Sequence, residues 1–189
     1  MPWDKGKAAP PLREIWSRYG KEIAAWQSRG SLLVPGCGTG HDVRWLASQG
    51  LEVEGMDVSE RALQMAEEAT ASELPEIQEK VRFELGDFFD TREGEAGVIF
   101  EHTCFCAIEP ATREAYAKSA AAWLRPGGYL VAIFFLTPGV VSGPPFGTTL
   151  KELDKLFSVD FDLLEEWEPR ETYQGREGKE WIRIFRRRS

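Results

Sequence analysis

Residues 31–42 read Ser-Leu-Leu-Val-Pro-Gly-Cys-Gly-Thr-Gly-His-Asp, an apolar run that passes directly into glycines at 36, 38 and 40 and then into a polar helix start. Few chains can use such a segment outside an α/β fold. Glycine tolerates positive φ and lets another group approach the backbone more closely than a Cβ would permit, so the stretch predicts a strand, a tight loop and a helix wrapped around a ligand. The glycine spacing is G-x-G-x-G, and His41 stands where the dinucleotide fingerprint G-x-G-x-x-G has its last glycine. That spacing favours S-adenosylmethionine over NAD, with bare loop N–H groups expected to receive part of the ligand.

The remaining periodicity extends this unit. Leu12, Ile15, Trp16, Tyr19, Ile23 and Trp26 recur every three or four residues and predict an amphipathic helix from Pro11 to about Gln27. Strands are predicted at Ser31–Val34, Leu51–Met56, Val81–Leu85, Val98–Cys104 and Tyr129–Leu136. Helices are predicted at Asp42–Ser48, from an N-cap at Ser59 to about Thr70, at Arg113–Leu124 and at Thr148–Phe157, with a turn over Pro75–Lys80. Alternating strands and helices imply a parallel sheet. Phe161–Trp167 and Trp181–Phe185, joined by a polar glycine-bearing connection, suit an antiparallel pair.

A length of 189 residues with 42% hydrophobic content suits one α/β domain over residues 1–189. The net charge of −8 argues against a nucleic-acid partner, and Arg186-Arg187-Arg188 reads as a solvated chain end. Three cysteines without C-x-x-C spacing and only two histidines predict no metal site. Cys104 and Cys106 read as small buried hydrophobes rather than nucleophiles. Trp16, Trp26, Trp45 and Trp123 are expected in the core. With no signal peptide and no apolar run near 18 residues, a soluble cytoplasmic protein without a membrane partner is expected, its oligomeric state left open with a monomer as one option.

In open α/β sheets the ligand lies beyond the carboxyl ends of the strands, and each candidate residue ends a predicted strand. Asp57, 17 residues after Gly40, can accept hydrogen bonds from both ribose hydroxyls. Asp87 can accept from an adenine amine, while Phe88 or Phe89 offers a ring face. Glu101-His102 falls near the end of the fourth strand.

Trp3-Asp4-x-Gly6, Val34-Pro35-Gly36-Cys37-Gly38-Thr39-Gly40, Gly86-Asp87-Phe88-Phe89, Phe105-Cys106-Ala107-Ile108-Glu109-Pro110 and Gly143-Pro144-Pro145-Phe146 occur in order along the chain. Together they resemble the thiopurine S-methyltransferase superfamily, with a closer likeness to its thiol and halide methyltransferase branch. The resemblance implies a Rossmann-like class I methyltransferase fold, with a seven-stranded, mostly parallel sheet, an antiparallel last strand and helices on both faces. It implies S-adenosylmethionine as methyl donor. Trp3 would contact this cofactor, Gly36 and Gly38 would form its cradle, with Gly36 at its methionine part, Asp57 would meet its ribose, and Asp87 with Phe88 its adenine. His102 would stand beside the methyl group, where relatives often carry tyrosine or arginine, and Arg176 would reach the substrate side.

His102 suits two roles: neutral, it accepts a thiol proton; charged, it holds an anion. Residues 1–30 would include a cofactor-covering segment and a helix, and 138–147 an active-site loop with Phe146 as an apolar wall. Tyr173 and Trp167 are candidates for the substrate pocket. The expected reaction is in-line displacement by a small sulfur or halide nucleophile such as sulfide, a thiol or iodide, aided by His102 and Arg176 as catalytic residues. The alternatives are a larger acceptor such as a thiopurine, and a non-catalytic protein that binds the cofactor or its product.

Overall fold

The computed structural model describes residues 4–137 and 142–189. The chain forms α1 (Pro11–Gln27), β1 (Ser31–Pro35), α2 (His41–Ser48), β2 (Val53–Asp57), α3 (Glu60–Thr70), α4 (Pro75–Gln78) and β3 (Val81–Leu85). It continues through β4 (Ala96–His102), α5 (Arg113–Trp123), β5 (Leu124–Phe135), α6 (Leu150–Phe157), β6 (Phe161–Trp167) and β7 (Glu180–Arg187). One sheet of seven strands runs in the order β3-β2-β1-β4-β5-β7-β6. β1 to β5 are mutually parallel, and β7 is antiparallel to both β5 and β6. The class I methyltransferase architecture expected from the sequence is therefore present. The strand order reverses between β1 and β4, so the crevice at their carboxyl ends is the natural ligand position.

Alternation along the central strands divides the core into two layers. Leu32, Val34, Val98, Phe100, Val131, Ile133, Ile182 and Ile184 pack with α1 and α2 on one face. Leu33, Ile99, Leu130, Ala132, Phe134 and Phe185 pack with α5 and α6 on the other. Burial on both faces explains why these strands read as nearly continuous apolar runs. The tryptophans behave as expected of packing residues: Trp123 is buried, Trp16 meets Trp45 edge-on at 6.3 Å, and Trp26 stacks on Tyr129 at 3.7 Å.

Several boundaries differ from the sequence expectation for local reasons. β4 ends at His102 rather than Cys104, because Thr103 takes φ 68° and turns the chain out of the sheet. β5 begins at Leu124, which pairs with Ala96 before the register shifts at the Pro-Gly-Gly segment. The terminal arginines are also ordered. β7 runs through Arg187, the Arg187 guanidinium donates to the Leu124 carbonyl, and Arg188 pairs with Asp162 at 2.8 Å. Arg186 and Arg188 are exposed, as a solvated chain end implies, while Arg187 and Arg188 are also tied down at the end of β7, which lies between β5 and β6. Among the described residues no helix is long and apolar enough to cross a membrane.

β4 can lie tightly under the C-terminal end of α1 because position 97 lacks a side chain. A Cβ on Gly97 would lie 2.7 Å from the Trp26 carbonyl oxygen and 3.0 Å from the Gly30 amide nitrogen. Both neighbours are backbone and cannot rotate away. Gly97→Ala is expected to lower the free energy of unfolding by about 1–3 kcal/mol through overpacking, as measured by denaturant titration.

Candidate active site

The glycine loop follows β1 and adopts positive φ at Gly36, Gly38 and Gly40 (59°, 55° and 74°). Its geometry corrects one expectation. The amides of Cys37, Gly38 and Gly40 are spent within the fold, on the Met56 carbonyl at 3.0 Å, the Asp57 carboxylate at 2.8 Å and the Cys37 carbonyl at 3.0 Å. What glycine provides at position 36 is room, since a Cβ there would lie 2.9 Å from Cys104 Sγ. The loop is thereby pressed against the turn that follows β4.

Asp57, the last residue of β2, uses Oδ2 for the Gly38 amide and Oδ1 for the Ser59 amide at 2.9 Å. Each carboxylate oxygen retains a further lone pair, enough to accept from a vicinal diol. Asp57 therefore shapes the loop and can still meet a ribose. Asp87 is exposed after β3, and its Oδ1 caps the turn by accepting from the Phe89 amide at 2.9 Å. The Phe88 ring does not face the crevice beside it. Its side chain is buried, 4.8 Å from the Tyr116 ring and stacked toward Trp123, whose Nε1 donates to the Phe88 carbonyl at 2.8 Å. Only Phe89, half-buried, leaves a ring near that turn.

The turn after β4 is the most constrained part of the site. Left-handed backbone at a β-branched residue costs on the order of 1–3 kcal/mol, so Thr103 needs support from its surroundings. Glu101 supplies it from the face opposite His102: Oε1 accepts the Phe105 amide at 2.9 Å, and Oε2 accepts the Tyr116 hydroxyl. Burial raises the Glu101 carboxyl to about 7, even though Tyr116 and the Phe105 amide favour its charged form. Burial also pushes the Cys106 thiol up to about 12 and the Cys37 and Cys104 thiols well above their ordinary value, so all three are neutral packing groups.

His102 ends β4 with its side chain only 7% exposed. Its Nδ1 lies 2.7 Å from Asp42 Oδ2, and the other Asp42 oxygen accepts the Ala9 amide at 2.7 Å. Burial alone would push this imidazole down, but the Asp42 carboxylate reverses the effect and holds it above its ordinary value. Burial pushes the Asp42 carboxyl up, yet the charge and hydrogen bond of His102 and the Ala9 amide bring it below the carboxylate range. The second nitrogen, Nε2, is buried and finds no partner among the described residues.

Tyr173 lies parallel to the His102 ring at 6.0 Å, and its hydroxyl donates to the Lys7 carbonyl at 2.6 Å. Arg176 sits 4.9 Å above the Phe135 ring and pairs with buried Glu180 at 2.9 Å. Its charge is felt at both His102 and Cys106. Phe146 is buried beside them, donating its amide to the Cys106 carbonyl at 2.7 Å. The structure therefore brings His102, Tyr173, Arg176 and Phe146 together around the end of β4. Trp167 packs elsewhere, stacked on Tyr19 and covered by Arg18. Trp3 and residues 138–141 lie outside the described residues.

Sequence reasoning missed four contributors. Asp42 and Glu180 each hold one of the candidate catalytic groups. Asp4 fastens the N-terminal segment by accepting from the Thr39 hydroxyl at 3.0 Å and pairing with His41 Nε2 at 3.0 Å. Arg113 clamps the far end of the loop, donating to the Gly147 and Phe146 carbonyls at 3.0 and 3.2 Å. Two had a local signal: Asp42, as an acid in the first turn of a helix, and Asp4, which stands in the Trp3-Asp4-x-Gly6 motif but had no role assigned.

Comparison with known proteins decides the family. The sequence profile described as Thiopurine S-methyltransferase (TPMT) matches residues 1–186. The chain belongs to the thiopurine S-methyltransferase family. It is 36% identical over 181 residues to thiocyanate methyltransferase 1 of Brassica oleracea, covering 95% of this chain and 76% of that one. It is 33% identical over 165 residues to probable thiol methyltransferase 2 of Arabidopsis thaliana, covering 86% and 70%. A Burkholderia thailandensis 1,6-didemethyltoxoflavin-N1-methyltransferase solved with S-adenosylhomocysteine superimposes with a TM-score of 0.68 at 21% identity, covering 94% and 82%. This member of the thiopurine S-methyltransferase family is an S-adenosylmethionine-dependent methyltransferase.

Two measurements probe the site. Asp57→Ala is expected to weaken S-adenosylhomocysteine binding by about 10–100-fold, the loss of charge-assisted hydrogen bonds, in a calorimetric titration. Glu101 keeps a proton in the folded state up to about pH 7, whereas the unfolded carboxyl releases it near its ordinary value of 4.5. The folded state thus binds the extra proton across that window, and its contribution to stability is lost as pH rises from 4.5 to 7. Glu101→Gln is expected to flatten this part of the stability profile in urea unfolding.

Proposed function

We propose that this methyltransferase transfers the methyl group to a small sulfur or halide nucleophile by in-line displacement. The observation that carries the reading is His102 Nε2, a buried nitrogen at the end of β4 with no partner among the described residues, flanked by Tyr173 and Arg176. Buried polar atoms are nearly always satisfied, so such an atom beside a cofactor crevice points to a ligand that completes it.

Asp57 would accept the ribose hydroxyls, and Asp87 the adenine amine. The ring beside the adenine would be Phe89 rather than Phe88, and the loop at Gly36 and Gly38 would lie against the methionine portion. The residues present fit the donor, because Asp57 keeps lone pairs on both oxygens after bracing the loop. When bound, the sulfonium donor supplies an electrophilic methyl group. The protein's part is to orient the acceptor and exclude water, which is where most of the acceleration of a displacement arises.

Residues 4–9, held by Thr39, His41, Asp42 and Tyr173, would cover the site from one side, and the Phe146 end of the 138–147 loop from another. The stacked Tyr173 and His102 rings and buried Phe146 support a small acceptor over a bicyclic thiopurine. The names of the thiocyanate and thiol methyltransferase relatives support sulfur as the attacking atom. A net charge of −8 supports a small-molecule partner rather than nucleic acid.

The test is a headspace gas-chromatographic assay with methanethiol, bisulfide, thiocyanate, iodide and a thiopurine, run with S-adenosylmethionine. Volatile methylated products are expected from at least one small sulfur acceptor, with little thiopurine turnover. Cofactor binding without methylation of any acceptor would overturn the proposal in favour of a binding protein.

A further inference from the structure

The charges around His102 bear on the form in which the acceptor arrives. Five groups face it or its immediate surroundings: Asp42 from α2, Glu180 from β7, Arg176 and Tyr173 from the connection between β6 and β7, and Glu101 from its own strand. Arg176, the cation whose charge is felt at His102, is matched by Glu180 at 2.9 Å. The imidazole is matched by Asp42 at 2.7 Å. The second oxygen of Glu180 is buried and, like His102 Nε2 and the Thr137 hydroxyl, has no partner among the described residues. Among the protein's own described groups, an anion entering here would meet a bare carboxylate oxygen and no unmatched cation, leaving the donor's sulfonium as its one counter-charge, at a cost that low local polarity magnifies.

A neutral thiol meets the opposite situation. Asp42 fixes which imidazole nitrogen carries the proton. Its Oδ1 is committed to the Ala9 amide, so Oδ2 is the acceptor facing His102 Nδ1, and a neutral imidazole keeps its proton on Nδ1. Nε2 is then a lone-pair acceptor, the arrangement of a carboxylate-oriented general base.

We infer that the enzyme takes its acceptor as a neutral, protonated thiol rather than as a preformed anion, with His102 as the base and Asp42 as the residue that positions it. This rests on the methyl-transfer reading above. As the acceptor sulfur bonds to the methyl carbon, the carbon–sulfur bond of the sulfonium breaks and its electron pair returns to the donor sulfur, leaving a thioether. The thiol proton moves to His102 Nε2, and the imidazolium, stabilised by Asp42, later releases it to water. Atoms and charge balance without another reactant.

The decisive comparison uses wild-type enzyme with 2-mercaptoethanol, iodide and thiocyanate between pH 5.5 and 8.5. For 2-mercaptoethanol, kcat/KM is expected to rise about tenfold per pH unit and level off once His102 is neutral, and to exceed the values for both anions by about 100-fold on the plateau. Asp42→Asn tests the positioning role with little change of shape. The Ala9 amide holds the asparagine oxygen, so the amide nitrogen must face His102 Nδ1 as a donor, which drives the imidazole proton onto Nε2. Thiol turnover is expected to fall about 100-fold or more, with the pH profile flattened.

Nitrogen NMR of the enzyme without cofactor gives a readout independent of turnover. His102 is expected to titrate above its ordinary value, with the neutral proton on Nδ1, in the wild type, and below it with the proton on Nε2 in Asp42→Asn. Iodide or thiocyanate methylated as efficiently as the thiol would overturn the inference while leaving the proposed function standing. So would a thiol profile without the single-proton rise, or a neutral wild-type imidazole protonated on Nε2. Failure of every acceptor would overturn both.

Discussion

The carboxylate of Asp42 ties together three segments that would otherwise meet only at the site. It stands in the first turn of α2, where the helix dipole favours an anion, and receives the Ala9 amide on one oxygen and His102 on the other. The N-terminal segment, the helix that follows the glycine loop and the end of β4 are thus registered by one group. Removing one partner from a buried pair of this kind costs about 3–5 kcal/mol, because the other charge is left stranded. A second chain of contacts runs beside it. Arg44 pairs with His41 Nδ1 at 3.1 Å, and His41 Nε2 pairs with Asp4, so the same helix start holds the N-terminal segment at two points. Holding the N-terminal segment in place and fixing the orientation of His102 are one structural event.

The opposite face of β4 performs a complementary task. Successive residues of a strand point to opposite sides, so Glu101 and His102 are adjacent in sequence but serve different layers. Glu101, with Tyr116 and the Phe105 amide, holds the turn in which Thr103 adopts left-handed backbone. That turn presses Cys104 against Gly36, and so sets how closely the glycine loop approaches the end of β4. The strain at Thr103 is located where the loop after β1 and the turn after β4 meet.

Much of this was legible from local patterns. Continuous apolar runs marked the buried strands, G-x-G-x-G marked the loop, and an acid at the end of the next strand marked Asp57, because each follows from backbone geometry within a few residues. The parts that were not legible depend on partners far apart in the chain. His102 and Asp42 are 60 residues apart and Arg113 lies 34 residues from Gly147, so no spacing rule joins them. Arg176 and Glu180 are four apart, but on a connection and a strand end rather than on a helix, where that spacing would have signalled a pair. Phe88 shows the converse error. An aromatic residue beside Asp87 read as a ligand platform, yet the core behind it needed a ring to pack between Tyr116 and Trp123.

The distribution of unsatisfied polar atoms follows from the same economy. A buried donor or acceptor without a partner costs about 1–3 kcal/mol, so a fold retains few of them without a compensating use. The Arg113 terminal nitrogens reach Gly147, Phe146 and Glu152 and hold the loop end in one arrangement, while Arg113 Nε and the indole nitrogens of Trp167 and Trp181 are buried without a partner among the described residues. His102 Nε2, Glu180 Oε2 and the Thr137 hydroxyl all lie at or just beyond the neighbouring ends of β4, β5 and β7. Each belongs to a residue close to groups whose own partners are fixed, and none of the three has a hydrogen-bond partner among the described residues. A fully satisfied pocket would be more stable and would have no reason to prefer an S–H group to any apolar molecule of the same size. On the reading proposed above, a ligand able to donate a proton would recover the energy these atoms leave unrecovered, and that difference would set the selectivity of the site.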